Sequence, residues 1–300
     1  MSRLLRSARL LGRALLASAA VASVMAAAAS VQSIEQRMYV SALDALGAPV
    51  ADLSAGDVTV REDGLAREVL RGESATDPMQ IALLVDNSAA MWRYLGDVRD
   101  GLAGFIQRVG EAGEHEIAVV AFGERPVIVA DYSTSLVELG RALARIGPRP
   151  DGNAPLLDAV YNVSQGLVRR EAPRPVVVAV TADSTEYGDR RPPAVLQALA
   201  DTGATLHGVA VTGAGTVFGG GRRYRDELFA QGTEGVGGQR IELIGGEGFG
   251  DVMGALADEL LSQYVVTYAR PVLLIPPETV EVASARRDLT IRGRIVPARE

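Results

Sequence analysis

The stretch IALLVDNSAAM, residues 81–91, decides the fold of this chain. Its first five residues form an apolar run that is typical of a buried strand, and an acid and a hydroxyl follow at Asp86 and Ser88. Apolar side chains then recur at helical spacing from Trp92 to Val109, which predicts an amphipathic helix. In open α/β sheets, ligands bind at the carboxyl ends of the strands. The sequence therefore predicts that Asp86 and Ser88 lie at a ligand-binding edge, and that Trp92 belongs to the core rather than to the rim of a binding surface.

Strands and helices continue to alternate from Met79 to Gln263. The Val-rich run at 175–180 is typical of a strand that is covered on both faces. Two further strands, at 116–122 and 127–132, are separated by a linker that is short enough for a hairpin. This alternation predicts a Rossmann-like α/β fold, in which a doubly wound, mostly parallel sheet lies between two layers of helices.

Short segments of β character flank this region, at 38–70, at 264–268 and at 280–296. Each group of strands buries too little apolar surface to be stable alone. We therefore expect the N-terminal and C-terminal strands to pair as one small β-sandwich, with the α/β domain inserted between them. The expected parts of the chain are a signal peptide (1–30), an N-terminal β unit (31–75), the α/β domain (76–265) and C-terminal β strands that pair with the N-terminal unit (266–300).

The first thirty residues are typical of a targeting segment. Four arginines and no acids begin it, and an Ala-rich apolar run ends in small residues at 27–30. This pattern predicts a secretory signal peptide that is removed by cleavage. An uncleaved membrane anchor is the alternative, but the apolar run is short for a spanning helix. We expect a protein that is exported through the inner membrane and is periplasmic or extracellular, with no transmembrane span after cleavage.

The composition excludes several kinds of function. The formal charge is −7, or −11 without the four arginines of the predicted signal peptide, and no basic stripe stands out, so nucleic acid is not expected as a partner. The chain contains no cysteine and therefore has no disulfides. All 30 Lys/Arg-type side chains are arginine, which excludes Schiff-base chemistry and the phosphate-binding lysine of P-loop enzymes.

Side chains with oxygen atoms cluster where strands are predicted to end. Asp86 and Ser88 stand two residues apart, and an acid with a hydroxyl suits the octahedral oxygen coordination of Mg²⁺. The loops at 152–159 and 181–186 follow other parts of the predicted sheet and would supply further oxygen atoms at the same edge.

Taken together, these features resemble a von Willebrand factor type A domain. The resemblance rests on the fold pattern, on the acid at the end of the first strand and on the Gly-x-x-x-Leu-x-Asp-Ala sequence at 152–159. The flanking strands resemble the bacterial secreted subfamily, in which a Glu-Asp-Gly turn precedes the domain and a Tyr-containing strand follows its last helix, as at 62–64 and Tyr264. The resemblance covers nearly the whole chain beyond the predicted signal peptide.

The resemblance implies a metal-ion-dependent adhesion site. The pattern of this family is Asp-x-Ser-x-Ser, with a Thr on a second loop and an Asp on a third. Asp86 and Ser88 match the first part, and Asp183 matches the third-loop acid if the alignment shifts by one residue. These three residues are the predicted metal ligands.

Alanine stands at the remaining positions of that pattern. Ala90 replaces the second serine, Ala154 replaces the threonine, and without the one-residue shift Ala182 replaces the third-loop acid. Because alanine offers no oxygen ligand, the resemblance implies a degenerate site at which Mg²⁺ or Mn²⁺ binds weakly or not at all, and no other cofactor is expected.

The resemblance also implies a non-enzymatic module for protein binding or adhesion. Its ligand, an unknown protein or a component of the cell envelope, would dock at the edge that carries Asn87, Asn153 and Ser184.

Asp86 has two other interpretations. The one we favour over metal binding makes it a scaffold residue that accepts hydrogen bonds from backbone N–H groups. The other makes it the nucleophile of a haloacid dehalogenase-like phosphohydrolase, but that group has Asp-x-Asp where this chain has Ser88, and it uses a lysine that this chain lacks.

Two further features have structural interpretations. The glycine-rich stretch 213–221 and the arginines that follow it, among them Arg225, are expected to form a mobile surface loop, the alternative being an anion-binding loop. The two histidines, His115 and His207, are not paired in sequence and are expected to be structural.

Overall fold

The structure, a computed structural model, describes residues 33–182, 186, 188–213, 220–234, 237–272, 275, 277 and 279–295. The predicted signal peptide and the site candidates Asp183 and Ser184 lie outside these residues. Within the described ranges, no helix combines the length and the apolar character that crossing a membrane requires.

Six helices lie in the described part of the chain: α1 (Leu95–Ala112), α2 (Leu136–Arg145), α3 (Leu156–Arg170), α4 (Pro192–Thr202), α5 (Gly220–Glu234) and α6 (Phe249–Leu261). Local chemistry sets several of their ends. The hydroxyl of Ser135 accepts a hydrogen bond from the N–H of Glu138 and caps α2. A proline begins α4, and Gly203, with φ of 71°, ends it in the left-handed conformation that glycine adopts without strain.

The described strands number thirteen: β1 (Ser33–Leu43), β2 (Val58–Glu62), β3 (Leu65–Arg67), β4 (Val69–Ser74), β5 (Gln80–Val85), β6 (Glu116–Ala121), β7 (Val127–Ser133), β8 (Pro175–Ala182), β9 (Thr205–Thr212), β10 (Arg240–Ile244), β11 (Tyr264–Pro271), β12 (Val280–Ser284) and β13 (Thr290–Ile295).

The central sheet has six strands in the order β10-β9-β8-β5-β6-β7. Neighbouring strands are parallel except β6 and β7, which form the predicted antiparallel hairpin. Val85 pairs with Val180 on one side and with Ala121 on the other, so β5, β8 and β6 end at one edge. The prediction of a doubly wound, mostly parallel α/β sheet is confirmed.

Helices cover both faces of this sheet. Because successive strand residues point to opposite faces, Leu83 and Val85 pack in one hydrophobic cluster and Leu84 in the other. Side chains from α1, α2 and α6 complete the first cluster, and side chains from α3, α4 and α5 complete the second. Gly101 lets α1 and α6 approach closely, since a Cβ there would lie 2.5 Å from the ring of Phe249.

Two small antiparallel sheets form the predicted β-sandwich. One has the strand order β13-β1-β11-β4 and the other the order β12-β2-β3. N-terminal and C-terminal strands pair in both sheets, as Val40 with Gly293 and Val60 with Val282 show. Between the sheets lies a third hydrophobic cluster, which includes Tyr268. The sandwich prediction is confirmed, because each sheet takes strands from both ends of the chain.

The chain divides into two compact units. Of the described residues, those within 35–269 and 276–300 form the larger unit, to which the residue pairs and packed side chains named above belong. The described residues of the smaller unit lie at 33–34 and within 270–275, where the guanidinium of Arg270 donates a hydrogen bond to the carbonyl oxygen of Ile275.

His207 lies fully buried in β9, and neither of its ring nitrogens has a hydrogen-bond partner among the residues that the structure describes. Burial lowers the pKa of His207 to about 4, while the nearby charges of Glu259 and Arg292 act in opposite directions. The structural role predicted for this histidine therefore has an energetic consequence. It remains neutral inside the sheet, whereas in the unfolded chain it takes up a proton as the pH falls below about 6.5.

We expect His207 to make the fold sensitive to acid. Its folded pKa lies below its unfolded pKa of about 6.5, so stability is lost as the pH falls from about 6.5 towards 4. Between pH 8 and pH 5 this histidine alone should cost about 2 kcal/mol of unfolding free energy. Urea denaturation at the two pH values should show that loss reduced by about that amount in His207→Leu. The control Val209→Ala, in the same strand, should lower stability equally at both pH values, and an unchanged acid loss in His207→Leu would refute the assignment.

Candidate functional site

Asp86 is the first residue after β5, and its carboxylate is completely buried. One carboxylate oxygen accepts a hydrogen bond from the N–H of Ser88 at 2.8 Å. The other accepts from the N–H of Ala182 at 3.0 Å and from the hydroxyl of Thr181 at 3.1 Å. The interpretation of Asp86 as an acceptor for backbone N–H groups thus matches the hydrogen bonds that the structure contains.

Asn87 joins three loops at the same edge. Its side-chain oxygen accepts from the N–H of Gly123 at 2.7 Å, and its side-chain nitrogen donates to the carbonyl of Gly147 at 2.6 Å. Its own carbonyl accepts from the N–H of Arg149 at 2.7 Å. Gly123 is required here, because a Cβ at this position would lie 2.6 Å from the side-chain oxygen of Asn87. The amide of Asn87 therefore holds together the loops at the carboxyl edge of the sheet, which we call the rim. Direct contact of Asn87 with a ligand remains a prediction.

Ser88 and Asn153 differ in accessibility. Ser88 is buried, and its hydroxyl has no hydrogen-bond partner among the described residues. Asn153 is exposed at the mouth of the loop that leads into α3. The next residue, Ala154, is buried with φ of 46°, a left-handed conformation that is strained for alanine by about 1 kcal/mol. Of the described candidates, Asn153 is thus the one whose side chain faces solvent.

Arg225, on α5, lies beneath this edge with only 4% of its surface exposed. Its Nη1 donates to the hydroxyl of Thr181 at 2.6 Å and to the carbonyl of Ala182 at 3.0 Å, and its Nη2 donates to the carbonyl of Ala154. Its Nε donates to the carboxylate of Glu186 at 3.1 Å. The guanidinium thus connects the loop before α3, the end of β8 and the segment that contains Glu186.

Glu186 is also buried, with 7% of its surface exposed. Besides Arg225, its carboxylate accepts hydrogen bonds from the N–H of Leu156, at the start of α3, and from the N–H of Gly188. Burial raises the pKa of Glu186, and the charge of Arg225 opposes that rise. The ion pair therefore holds a second carboxylate in the interior, near Asp86.

The expectation of a surface position is wrong for Arg225, which is buried on α5. The sequence did contain a signal for this placement. Arg225 is in phase with Leu228, Phe229 and Gly232, which are buried residues at the helical spacing i, i+3, i+4 and i+7. A charged residue on an apolar helix face indicates a buried ion pair when a partner is present, and here the partner is Glu186.

The expectation that Trp92 belongs to the core is also wrong. Its side chain is 65% exposed on a 3₁₀ turn, Trp92–Tyr94, in the loop between β5 and α1. Met91 beside it is fully buried and fills the core position instead. The one tryptophan of the chain is therefore accessible in the loop that carries Asp86.

A groove of about 640 Å³ opens beside Asn87. The hairpin between β6 and β7 forms one wall and the segment 145–149 forms the other. Arg125, Arg145 and Arg149 line it, and Glu124 is the one acidic side chain among its described lining residues. Exposed Val127 and Ile128 add apolar surface. The groove is thus basic and partly apolar in a chain whose net charge is negative.

Comparison with known families agrees with this geometry. Residues 81–185 match the sequence profile of the family described as von Willebrand factor type A domain. The chain contains a von Willebrand factor type A domain. The matched region of this A domain begins in β5, spans the loops of Asp86 and Ala154 and ends just past β8.

A solved structure shows the same fold. A structure of proximal thread matrix protein 1 from the mussel byssus, with a zinc-occupied MIDAS motif, is 18% identical and superposes with a TM-score of 0.52 over 67% of this chain and 49% of that chain. The von Willebrand factor type A structure from Catenulispora acidiphila is 10% identical, with a TM-score of 0.48 over 87% of this chain and 72% of that chain. At 18% identity, the likeness to the mussel protein shows the fold alone. This chain spans about half the length of the mussel protein, and no curated protein sequence matches it.

The described residues of the A domain do not fit a divalent metal ion. The free hydroxyl of Ser88 is one suitable ligand, but both carboxylate oxygens of Asp86 already accept hydrogen bonds. Nowhere in the part of the chain that the structure describes do three His, Cys, Asp or Glu side chains gather as a metal site. The guanidinium of Arg225 also places a positive charge one hydroxyl away from Asp86, where it would repel a second cation.

Proposed function

We propose that this protein is an exported, non-enzymatic binding module whose A domain captures a protein or a component of the cell envelope at the carboxyl edge of its sheet. The basic groove beside Asn87 is the observation that carries the proposal, because a concave surface with polar groups and exposed apolar side chains is typical of a binding site. In this proposal the segments 31–75 and 266–300 support the A domain, and residues 1–30 direct export.

The lining of the groove indicates the chemistry of the partner. Arg125 and Arg149 are exposed and have no described ion-pair partner, so both can bind carboxylates. Arg145 donates to the carbonyl of Val129 and stiffens one wall. An acidic segment of a partner is the complementary ligand, and Trp92 and Asn153 would contact the same partner beyond the groove.

We further propose that the metal site of this A domain is degenerate. Ala90 and Ala154 stand where the family pattern has oxygen ligands, and so does Ala182 unless the alignment shifts by one residue to Asp183, whereas the mussel protein is described with zinc in its motif. Mg²⁺ or Mn²⁺ would then bind weakly or not at all through Asp86, Ser88 and Asp183.

Phosphohydrolase activity is the alternative function. It requires a carboxylate that can attack phosphorus, and both oxygens of Asp86 are engaged in hydrogen bonds and shielded from solvent. This engagement supports the binding module. Turnover of an aryl phosphate that Asp86→Ala abolishes, in a variant shown to be folded, would favour the phosphohydrolase instead.

The binding proposal predicts that charge reversal in the groove weakens capture of an acidic ligand. With an oligoglutamate peptide as the probe in fluorescence anisotropy, Arg125→Glu combined with Arg149→Glu should weaken binding by about tenfold or more. The matched control is Arg61→Glu combined with Arg287→Glu, which changes the charge equally on the β-sandwich and should have a smaller effect. Equal losses in the two double variants, or no binding by the wild type, would contradict the assignment of the groove.

A further inference from the structure

The buried guanidinium of Arg225 is surrounded by oxygen atoms from separate loops. Its three nitrogens donate to two backbone carbonyls, to the hydroxyl of Thr181 and to the carboxylate of Glu186. A planar guanidinium with donors in fixed directions can fix the relative positions of these oxygen atoms. In the described part of the chain, these loops meet at this one positive group.

These loops are the ones from which the family pattern draws its metal ligands. One carbonyl belongs to Ala154, at the position where the pattern has a threonine, and the other to Ala182, which is at the position of the third-loop acid or next to it. The first-loop acid is part of the same network, because the hydroxyl of Thr181 accepts a hydrogen bond from Arg225 and donates one to Asp86. The guanidinium therefore organises the same three loops that a divalent ion would organise, from below the rim.

The charges of the network agree with this role. Asp86 and Glu186 bring two buried carboxylates, and Arg225 places a positive charge between them. Buried charges persist when they are paired and hydrogen-bonded, and each of these three groups has at least three hydrogen bonds. These hydrogen bonds supply both buried carboxylates with donors from within the protein.

We propose that Arg225 is a built-in cation that performs the loop-organising role of the divalent ion, so that the rim of this A domain is ordered without metal. The rim is then the same in the presence and the absence of chelator. Ligand capture that is insensitive to chelator follows as well, a consequence that rests on the proposed function. The role of Arg225 itself does not depend on which ligand binds.

Hydrogen exchange of the rim amides in the full chain tests the role of Arg225 separately from ligand binding. The informative amides are those of Ser88, Leu156 and Ala182, each of which donates to a carboxylate of the network. In the wild type, millimolar Mn²⁺ and EDTA should give the same protection of all three. Arg225→Gln combined with Glu186→Gln should lower the protection of Leu156 and Ala182 by about tenfold or more, because the loops lose their common donor.

Two further variants keep the test decisive. Arg225→Lys keeps the positive charge but loses the planar set of N–H donors. Its rim amides should therefore still be insensitive to Mn²⁺, and they should be less protected from exchange than in the wild type. If the double variant does not fold, Arg225→Lys provides the test. Arg240→Gln removes a more exposed arginine of β10, which pairs with Asp226 on the helix that also carries Arg225. This variant should leave the protection of the rim amides unchanged. Protection that rises with Mn²⁺ in the wild type, or that survives in Arg225→Lys at the wild-type level, would overturn the proposal.

Discussion

Asp86→Ala should lower the free energy of unfolding by about 3–5 kcal/mol, with or without divalent metal in the buffer. The substitution removes the acceptor of three hydrogen bonds and leaves the N–H groups of Ser88 and Ala182 without a partner in the interior. Each stranded donor costs about 1–3 kcal/mol. Urea denaturation should show the loss as a lower midpoint with an unchanged slope.

A matched control separates this effect from a loss of charge. Asp100 lies exposed on α1, and Asp100→Ala should change stability by less than about 0.5 kcal/mol. Asp86→Asn keeps one acceptor oxygen and should fall between the wild type and Asp86→Ala. If Asp86→Ala proved as stable as the wild type, the carboxylate would not be a scaffold group. That result would favour the interpretation of Asp86 as a metal ligand or as a nucleophile.

Arg225→Met should cost about 3–5 kcal/mol, because it leaves the carboxylate of Glu186 buried without its counterion. Adding Glu186→Gln should recover part of this loss, about 1–2 kcal/mol, since the neutral amide needs no counterion. A double-mutant cycle measured by urea denaturation would give the coupling between the two side chains. The measurement complements hydrogen exchange, because it reports the global stability and not the order of the rim.

The control for the cycle is an exposed ion pair of the β-sandwich. Nη2 of Arg286 lies 2.8 Å from a carboxylate oxygen of Asp288 at the surface, and Arg286→Met should leave the free energy of unfolding almost unchanged, because solvent screens the pair. If the costs of Arg225→Met and Glu186→Gln simply added, the ion pair would be energetically uncoupled. Arg225 would then contribute only through the carbonyls and the hydroxyl that it contacts.

The fold could be predicted because its signals are local. The apolar run at 81–85, the Val-rich run at 175–180 and the spacing of the helices each depend on neighbouring residues alone, and all of them appear in the structure. The sandwich could be predicted by elimination, since β1 and β13 are each too small to be stable without a partner.

The candidate site was predicted less completely. The position of Asp86 at the end of β5 follows from the strand pattern, and its contact with Ala182 follows from the parallel arrangement of β5 and β8. The sequence predicts a surface position for Arg225, because the glycines before it dominate the local pattern. It predicts a core position for Trp92, because the apolar character of this residue outweighs its place in a loop.

The sequence by itself determined the order of strands and helices, the edge at which Asp86 lies and the pairing of the chain ends. Hydrophobic periodicity and short-range turn chemistry carry the first two, and the small size of the flanking strands implies the third; all of these can be read without knowing distant contacts. Only the tertiary structure decided that Arg225 is buried beneath the rim and that Trp92 is exposed. Arg225 and Ala154 are 71 residues apart, and the burial of a charge depends on whether a partner such as Glu186 meets it in space.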